Sequence, residues 1–359
     1  MPITLSSPDT ERDAEVAARS EPLPSPRALA AQCPLPDGAT ETVRRSRRAI
    51  QEILRREDER FVVVVGPCSI HDADAALAYA ARLARVQDQL GDRLLFVMRV
   101  YMEKPRTTTG WRGMVNDPHM DGTFAMADGL RRARRLFTGI LALGLPIATE
   151  MLDLSVPAYL ADLVSFAGIG ARTTESQPHR ALASSLAVPV GFKNGTDGGL
   201  QTALDALVSA GRPHSFIGID EEGRSCAVRT SGNADCVLIL RGGGKSTPNY
   251  HVAHIAEAER RLHGLEMGRP PAILVDCSHA NSRYDPTRQG DVCREIAAQR
   301  RSGSHVIRGL MLESNLLGGK QPLIGDGSDR LQYGVSVTDA CLGWPETEAL
   351  LRELHGSLG

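Results

Sequence analysis

The sequence predicts a closed (β/α)8 barrel, the TIM-barrel architecture, with an N-terminal extension and an inserted β-hairpin. Three observations carry that prediction. Eight short apolar runs recur: FVVVVGPCS, LLFVMRV, LPIATE, GIGARTTES, VPVGFKNG, CVLILRGG, AILVDCSHA and HVIRGLMLES. Continuous Val/Ile/Leu runs mark strands buried on both faces of a parallel sheet. Most runs are followed by a Gly/Pro break and then a helical pattern, the alternation of βα units. Each run also ends on a charged or reactive residue: Cys68, Arg99, Glu150, Arg172, Lys193, Arg241, His279 and Glu313 in order. Barrel active sites form at that rim. A doubly wound open sheet is the alternative, but no G-x-G-x-x-G follows the first strand.

The elements follow in order. Residues 1–40 are rich in Pro, Ala, Ser and Arg, with prolines at positions 22, 24, 26, 34 and 36. Each proline removes a backbone donor and restricts its predecessor, so a mobile arm with little helix before Ala39 is expected. One catalytic domain is expected over residues 41–359. It opens with a helix over about 41–56, where Val43, Ile50, Ile53 and Leu54 stand near helical spacing. The strands then recur at about 35 residues per unit, slightly long for a minimal barrel. The excess is local. The step after Arg99 holds the polar loop YMEKPRTTTGWRGMVNDPHMDG. The step after Lys193 holds HSFIGIDEEGRSCAVRTSG, which predicts a hairpin at about 214–230 turning at Glu221-Glu222-Gly223.

Composition narrows the class of function. The chain has 359 residues, 42% hydrophobic and 23% charged, with a formal net charge of −2. That balance suits a core-burying protein and gives no reason to expect nucleic acid or an anionic membrane as partner. The longest strongly apolar stretch, around Phe61 to Val65, is far below the ~20 residues of a membrane helix. The opening MPITLSSPDTERDAEVAARS has no apolar signal core. Seven cysteines without paired spacing fit free thiols, and a cytoplasmic location is expected. Of 41 basic residues only four are lysines: Lys104, Lys193, Lys245 and Lys320. A lysine in a chain that prefers arginine draws attention to its point charge or transferable proton.

Two constellations carry chemistry. Cys68, His279 and Glu313, with Asp339 just after the last strand, offer a thiolate, an imidazole and two carboxylates. Such mixed donors suit one divalent transition ion better than Mg or Ca. A buried inert cysteine among unrelated polar residues is the bland alternative. Arg99, Lys104, Arg106, Arg172, Lys193 and Arg241 form the second set. Six cations at one rim repel one another unless anions lie between them. Phosphate and carboxylate groups of substrates would neutralise them, and arginine forks bind both; salt bridges to Glu103, Glu150 and Glu175 are the alternative. Lys104-Pro105-Arg106-Thr107-Thr108 is a stiffened loop suited to a second phosphate. Arg241-Gly242-Gly243-Gly244-Lys245 lacks the Walker spacing, and its glycines are read as access for Arg241.

With these motifs in view, the chain resembles the type I, microbial-type 3-deoxy-D-arabino-heptulosonate 7-phosphate (DAHP) synthases. GPCSIHD, MRVYMEKPRTTTGW, NDPHMDG, GARTTESQPHR, GFKNGTDG, TSGN, ILRGG, DCSHANS, MLESNL and YGVSVTDACLGW carry the resemblance, from about Arg44 to Leu351. It implies a transferase that condenses phosphoenolpyruvate with erythrose 4-phosphate and water to DAHP and phosphate, the first step of the shikimate pathway. It implies metal ligands at Cys68, His279, Glu313 and Asp339, with Mn2+ first and Fe2+, Co2+ or Zn2+ as alternatives. Phosphoenolpyruvate would meet Arg99, Lys104, Arg172, Lys193 and Arg241. The phosphate of erythrose 4-phosphate would meet Arg106 and Thr107. Lys104 is the expected proton donor, and Glu150 or His279 the group that deprotonates water.

The resemblance also implies an aromatic amino acid effector and a homodimer or homotetramer. Effector positions would be Met151, Leu154, Pro157, Leu182, Leu186, Ala187, Phe216, Gly218 and Val228. Ala187 and Gly218 stand where relatives often carry serine. Two other readings were weighed: a 3-deoxy-octulosonate 8-phosphate synthase using a longer sugar phosphate, and a non-catalytic amino-acid sensor. The KPRTT loop and the complete ligand sets favour the four-carbon sugar and an active enzyme.

Overall fold

The computed structural model describes residues 20–323, apart from Lys245 and Glu266, and residues 331–358. The first 19 residues of the expected arm, and the Lys245 of the glycine-rich stretch, lie outside the described residues. Eight strands close a parallel barrel. In order around it they are β1 (Phe61–Gly66), β2 (Leu94–Arg99), β3 (Ile147–Glu150), β4 (Phe166–Ile169), β5 (Val190–Lys193), β8 (Cys236–Leu240), β9 (Ile273–Asp276) and β10 (Ile307–Glu313). Closure comes from β10 pairing with β1, Gly66 opposite Glu313. All eight strands are buried end to end, as their unbroken apolar runs predict.

The inserted hairpin is β6 (Ser215–Ile219) with β7 (Ser225–Arg229), antiparallel and outside the barrel. Its tip is fixed where Asp220 accepts from the N–H groups of Glu222 and Arg224 through Oδ1, and Gly223 takes a positive φ. The long step after β2 stays irregular until α4 (Met126–Ala142) begins.

Residues lining the barrel interior alternate with residues facing the helices, as the period of two demands. Val62, Val64, Val97, Phe166, Ile239 and Met311 fill the inside. Val63, Val65 and Phe96 join the outer layer with Tyr79 and Leu83 of α3 (Ala73–Leu90). That helix starts cleanly because Asp72 accepts from the Asp74 and Ala75 N–H groups. Ile50, Ile53 and Leu54 of α2 (Ala39–Leu54) belong to the interior cluster. The expected amphipathic helix therefore plugs the N-terminal end of the barrel. Its Arg47 holds the Ala161 and Val164 carbonyls.

The arm departs from expectation. Residues Pro26–Gln32 form a helix, α1, ahead of Ala39. Ser25 caps it by accepting from the Ala28 N–H, and Pro26 occupies the first turn. There its missing N–H costs nothing and its fixed φ suits the helix. Leu29 is fully buried, Tyr159 donates to the Pro24 carbonyl, and Arg27 bridges to Glu221 and Glu222 at the hairpin tip. The prolines thus start a docked helix rather than forbid one.

Candidate active site

The C-terminal rim gathers what the strand ends carry. Arg99, Glu150, Lys193 and Glu313 are the last residues of β2, β3, β5 and β10. Arg241 follows β8 directly, and Cys68, Arg172 and His279 lie two or three residues beyond β1, β4 and β9. A cavity of about 390 Å³ opens there, and all six expected cations line it with Thr107, Glu150, His279, Glu313 and Asp339. Two glycines make the approach possible. A Cβ at Gly66 would lie 2.9 Å from the Arg99 carbonyl oxygen, and one at Gly170 would lie 2.3 Å from Glu150 Oε1.

Cys68, Glu313 and Asp339 point together, with one donor atom of each within 4.8 Å of the others. Cys68 Sγ is 3.5 Å from Asp339 Oδ2. Burial pushes the Cys68 thiol up to about 12, with the Glu313 carboxylate adding and Lys104 opposing. Burial also works against the Asp339 carboxylate, yet Lys104 and the neighbouring His279 hold its pKa below the ordinary value. A buried thiol and a buried carboxylate beside the more exposed Asp339 are a donor set that a metal ion would complete. The residues present therefore fit one divalent transition ion. Lys104 meets this group at the cysteine, its Nζ donating to Cys68 Sγ and to the Cys68 carbonyl, both at 3.2 Å. Burial alone would strip the Lys104 proton, but Cys68, Glu313 and Asp339 outweigh it and raise its pKa.

The cations are held by buried acids. Arg99 donates from Nη2 to Glu313 Oε1 at 3.0 Å, and its guanidinium stacks 4.1 Å over the Tyr101 ring. Lys193 Nζ donates to Asp276 Oδ2 at 2.8 Å. Gln289 clamps the Glu313 backbone by accepting from its N–H and donating to its carbonyl. Asn194 accepts from the Arg241 N–H, and Arg172 donates to Thr107 Oγ1 at 3.0 Å, tying the loop after β2 to the rim. Arg99 Nη1 and Glu150 Oε1 are buried without a protein partner. An unpaired buried polar atom is costly, so both atoms face a place where a ligand or water would satisfy them.

The comparisons agree with this geometry. The DAHP synthetase I family matches residues 40–352. The chain belongs to the DAHP synthetase I family. It is 50% identical over 346 residues to the Phe-sensitive phospho-2-dehydro-3-deoxyheptonate aldolase of Escherichia coli strain K12, covering 96% of this chain and 97% of that one. It is 48% identical over 336 residues to the Tyr-sensitive enzyme of the same strain, covering 94% and 93%. The solved phospho-2-dehydro-3-deoxyheptonate aldolase from Francisella tularensis SCHU S4 superposes with a TM-score of 0.91 at 41% identity, covering 95% of this chain and 98% of that one. The chain is thus an enzyme of the DAHP synthetase I family on a (β/α)8 barrel. No helix among the described residues is long and apolar enough to cross a membrane.

In this DAHP synthetase I enzyme the expected four-ligand set is incompletely drawn together. His279 lines the cavity but stands outside the group of Cys68, Glu313 and Asp339. The reason is local: its Nδ1 lies 3.0 Å from Asp276 Oδ2 and 2.7 Å from Ser278 Oγ, which leaves Nε2 as its free nitrogen. Nor are the expected salt-bridge alternatives those seen: Arg99 and Lys193 take Glu313 and Asp276, not Glu103, Glu150 or Glu175. Sequence reasoning missed Asp276, Tyr101 and Tyr284, the last lining the cavity with its hydroxyl accepting from Arg241 Nη2 at 3.4 Å. Asp276 had a signal, an acid closing an apolar run; the tyrosines had none.

None of the nine expected effector positions lines the rim cavity, although Leu154 shares an adjoining pocket with Lys104, Arg106 and Arg172. Met151 is buried after β3, and Pro157 opens α5 (Pro157–Leu160). Leu182 is buried in α6 (Gln177–Ser185), Leu186 is buried just after it, and Ala187 and Leu154 are exposed. Phe216, Gly218 and Val228 sit on the hairpin, where Phe216 pairs with Val228. A Cβ at Gly218 would lie 2.8 Å from Val228 Cγ2.

Proposed function

We propose that the enzyme catalyses the divalent-metal-dependent condensation of phosphoenolpyruvate with D-erythrose 4-phosphate and water, giving DAHP and phosphate in aromatic amino acid biosynthesis. One observation carries this reading: six cations line one cavity at the barrel mouth with Glu313 and Asp339, whose donor atoms lie within 4.8 Å of that of Cys68. Relatives about half identical over nearly the whole chain are named phospho-2-dehydro-3-deoxyheptonate aldolase.

The roles follow from placement. Arg172 and Arg241 take the phosphate of phosphoenolpyruvate, and Arg99 with Lys193 flank its carboxylate. Arg106 and Thr107 take the phosphate of the sugar. Cys68, Glu313, Asp339 and the free nitrogen of His279 hold the ion, Mn2+ first, with Fe2+, Co2+ or Zn2+ able to replace it. When bound, that ion supplies positive charge to polarise an aldehyde oxygen or acidify water. C3 of phosphoenolpyruvate bonds to the aldehyde carbon, and the aldehyde oxygen takes a proton. Lys104 holds that proton at Nζ beside Cys68 and passes it on. Water adds at C2, and phosphate leaves by C–O cleavage. Glu150, whose Oε1 has no protein partner, is the group in the cavity left to take the water proton, since the ion and the Asp276 side would occupy both nitrogens of His279. Fixed cations hold both substrates in reacting geometry, which supplies much of the acceleration.

An aromatic amino acid acting on the region between α5, α6 and the hairpin is the proposed effector, since the relatives are named Phe- and Tyr-sensitive. We further propose a cytoplasmic homodimer or homotetramer. A phosphate-release assay with both substrates, metal-free and Mn2+-restored, tests the reading. Release that needs both substrates and Mn2+, and falls with Phe, Tyr or Trp, is expected. Release with arabinose 5-phosphate but not erythrose 4-phosphate would reassign the substrate.

A further inference from the structure

We propose that Asp276 is a positioning residue that sets two arms of the mouth at once, aiming Lys193 at the enol phosphate and fixing the ring of His279 for the metal ion. This rests on the function proposed above and adds a residue to it.

Asp276 ends β9 and is completely buried. Its Oδ2 accepts from Lys193 Nζ at 2.8 Å and lies 3.0 Å from His279 Nδ1. Its Oδ1 accepts from the Ser278 N–H at 3.1 Å and the Ser278 hydroxyl at 2.7 Å. Both oxygens are therefore committed, and every partner belongs to the mouth or its wall.

Ser278 has one hydroxyl hydrogen, and it goes to Asp276 Oδ1. Its Oγ can then only accept from His279 Nδ1, 2.7 Å away, so Nδ1 carries the hydrogen. The lone pair is left on Nε2, the tautomer that a metal ion requires. The ring is also held at an unusual backbone. His279 has φ of +55°, and the Asn281 side chain donates to the Asp276 carbonyl across that turn. Of the other three acids of the mouth, Glu313 is engaged with Arg99 and Asp339 with Cys68, and Glu150 Oε1 has no protein partner. Among the described residues, Asp276 is the acid that joins a substrate cation to the imidazole.

The consequence is a coupling between two binding events. Without the charge at Asp276, Lys193 loses its anchor and His279 is free to turn its N–H toward the ion. Metal and phosphoenolpyruvate affinity should fall together. Removing Lys193 itself should touch phosphoenolpyruvate alone.

The test uses the full-length enzyme, stripped of metal and titrated with Mn2+, with free ion read by electron paramagnetic resonance. Asp276→Asn is expected to weaken Mn2+ binding by about 10–100-fold and to raise KM for phosphoenolpyruvate. Lys193→Met is expected to raise KM and leave Mn2+ affinity unchanged. Wild-type Mn2+ affinity in folded Asp276→Asn overturns the proposal whatever its KM. Should circular dichroism show that Asp276→Asn does not fold, Ser278→Ala takes its place. Loss of the hydroxyl between Asp276 and His279 should then weaken Mn2+ by about tenfold, and unchanged binding overturns the proposal. A wild type that neither binds Mn2+ nor condenses the substrates overturns both readings. A wild type that does both, with Asp276→Asn doing both equally well, overturns this one only.

Discussion

Each end of the barrel buries an arginine, and the two are treated in opposite ways. At the mouth, Arg99 is shielded completely and faces a carboxylate, Glu313, and a ring, Tyr101. At the base, Arg308 of β10 is equally buried but donates to two backbone carbonyls, those of Ile53 and Asp58. Its nearest acid is the exposed Glu59, 3.7 Å away and shared with Arg300. Burial, with repulsion from Arg300, pulls Arg308 down to about 10; burial acts the same way on Arg99, but Tyr101, Glu313 and Asp276 outweigh it and keep its pKa above the ordinary value. Neutral carbonyls suffice to seal α2 against the barrel floor. An acid beside Arg99 does something more: it keeps a completely buried charge pair at the rim of the cavity.

The sharpest way to break this comparison is to remove the ion's soft ligand. Cys68→Ala should abolish Mn2+-stimulated phosphate release while leaving the folded spectrum intact, because the donor set loses its thiolate. Chelation of the wild type should give the same loss, restored by Mn2+ only where Cys68 is present. Equal activity of Cys68→Ala after chelation and rescue would place the ion elsewhere.

Next come the arginines themselves. Arg99→Met strands Glu313 as an uncompensated buried charge and should cost about 3–5 kcal/mol of stability together with activity. Arg308→Met leaves only carbonyls short of a donor and should cost about 1–3 kcal/mol, with kcat unchanged. Urea unfolding and steady-state rates on the two variants separate these effects. A fall in kcat for folded Arg308→Met would mean that the base, too, communicates with the chemistry.

The barrel was legible because unbroken runs such as FVVVVG and CVLIL read the same in any context. The rim was legible for a related reason: the residue closing each run has one place to go. What the text hid depends on convergence or on local caps. Asp276 acts through Lys193, 83 positions away, and nothing in VDCSHA announces that meeting. His279 was readable as a ligand, but not its hold on Asp276. The arm's prolines read as breakers, although Ser25-Pro26 is also how a helix begins. In each case the residue type was informative, and its partner was not.

Glu103 gives the gentlest probe of how the mouth manages burial, since it lies beside Lys104 but has no cation in its own shell of contacts. It is 2% exposed, and its oxygens accept only weakly from the Asp153 N–H, at 3.3 and 3.5 Å. Burial first, then the Asp153 carboxylate, pushes its pKa to about 8. In the unfolded chain a glutamate releases its proton near 4.5. Between those values the fold binds the proton that the unfolded chain has lost, so stability falls as pH rises. The contribution is whole below about 4.5 and is lost as pH climbs through about 8, with a slope of at most about 1.4 kcal/mol per pH unit. Glu103→Gln carries no such proton. Its urea midpoint should decline less between pH 5 and 8 than that of the wild type, so the two curves converge in acid and part in base. Parallel curves would mean that Glu103 is ionised in the fold, and that the region beside Lys104 tolerates an unpaired buried anion as readily as the rim tolerates its paired ones.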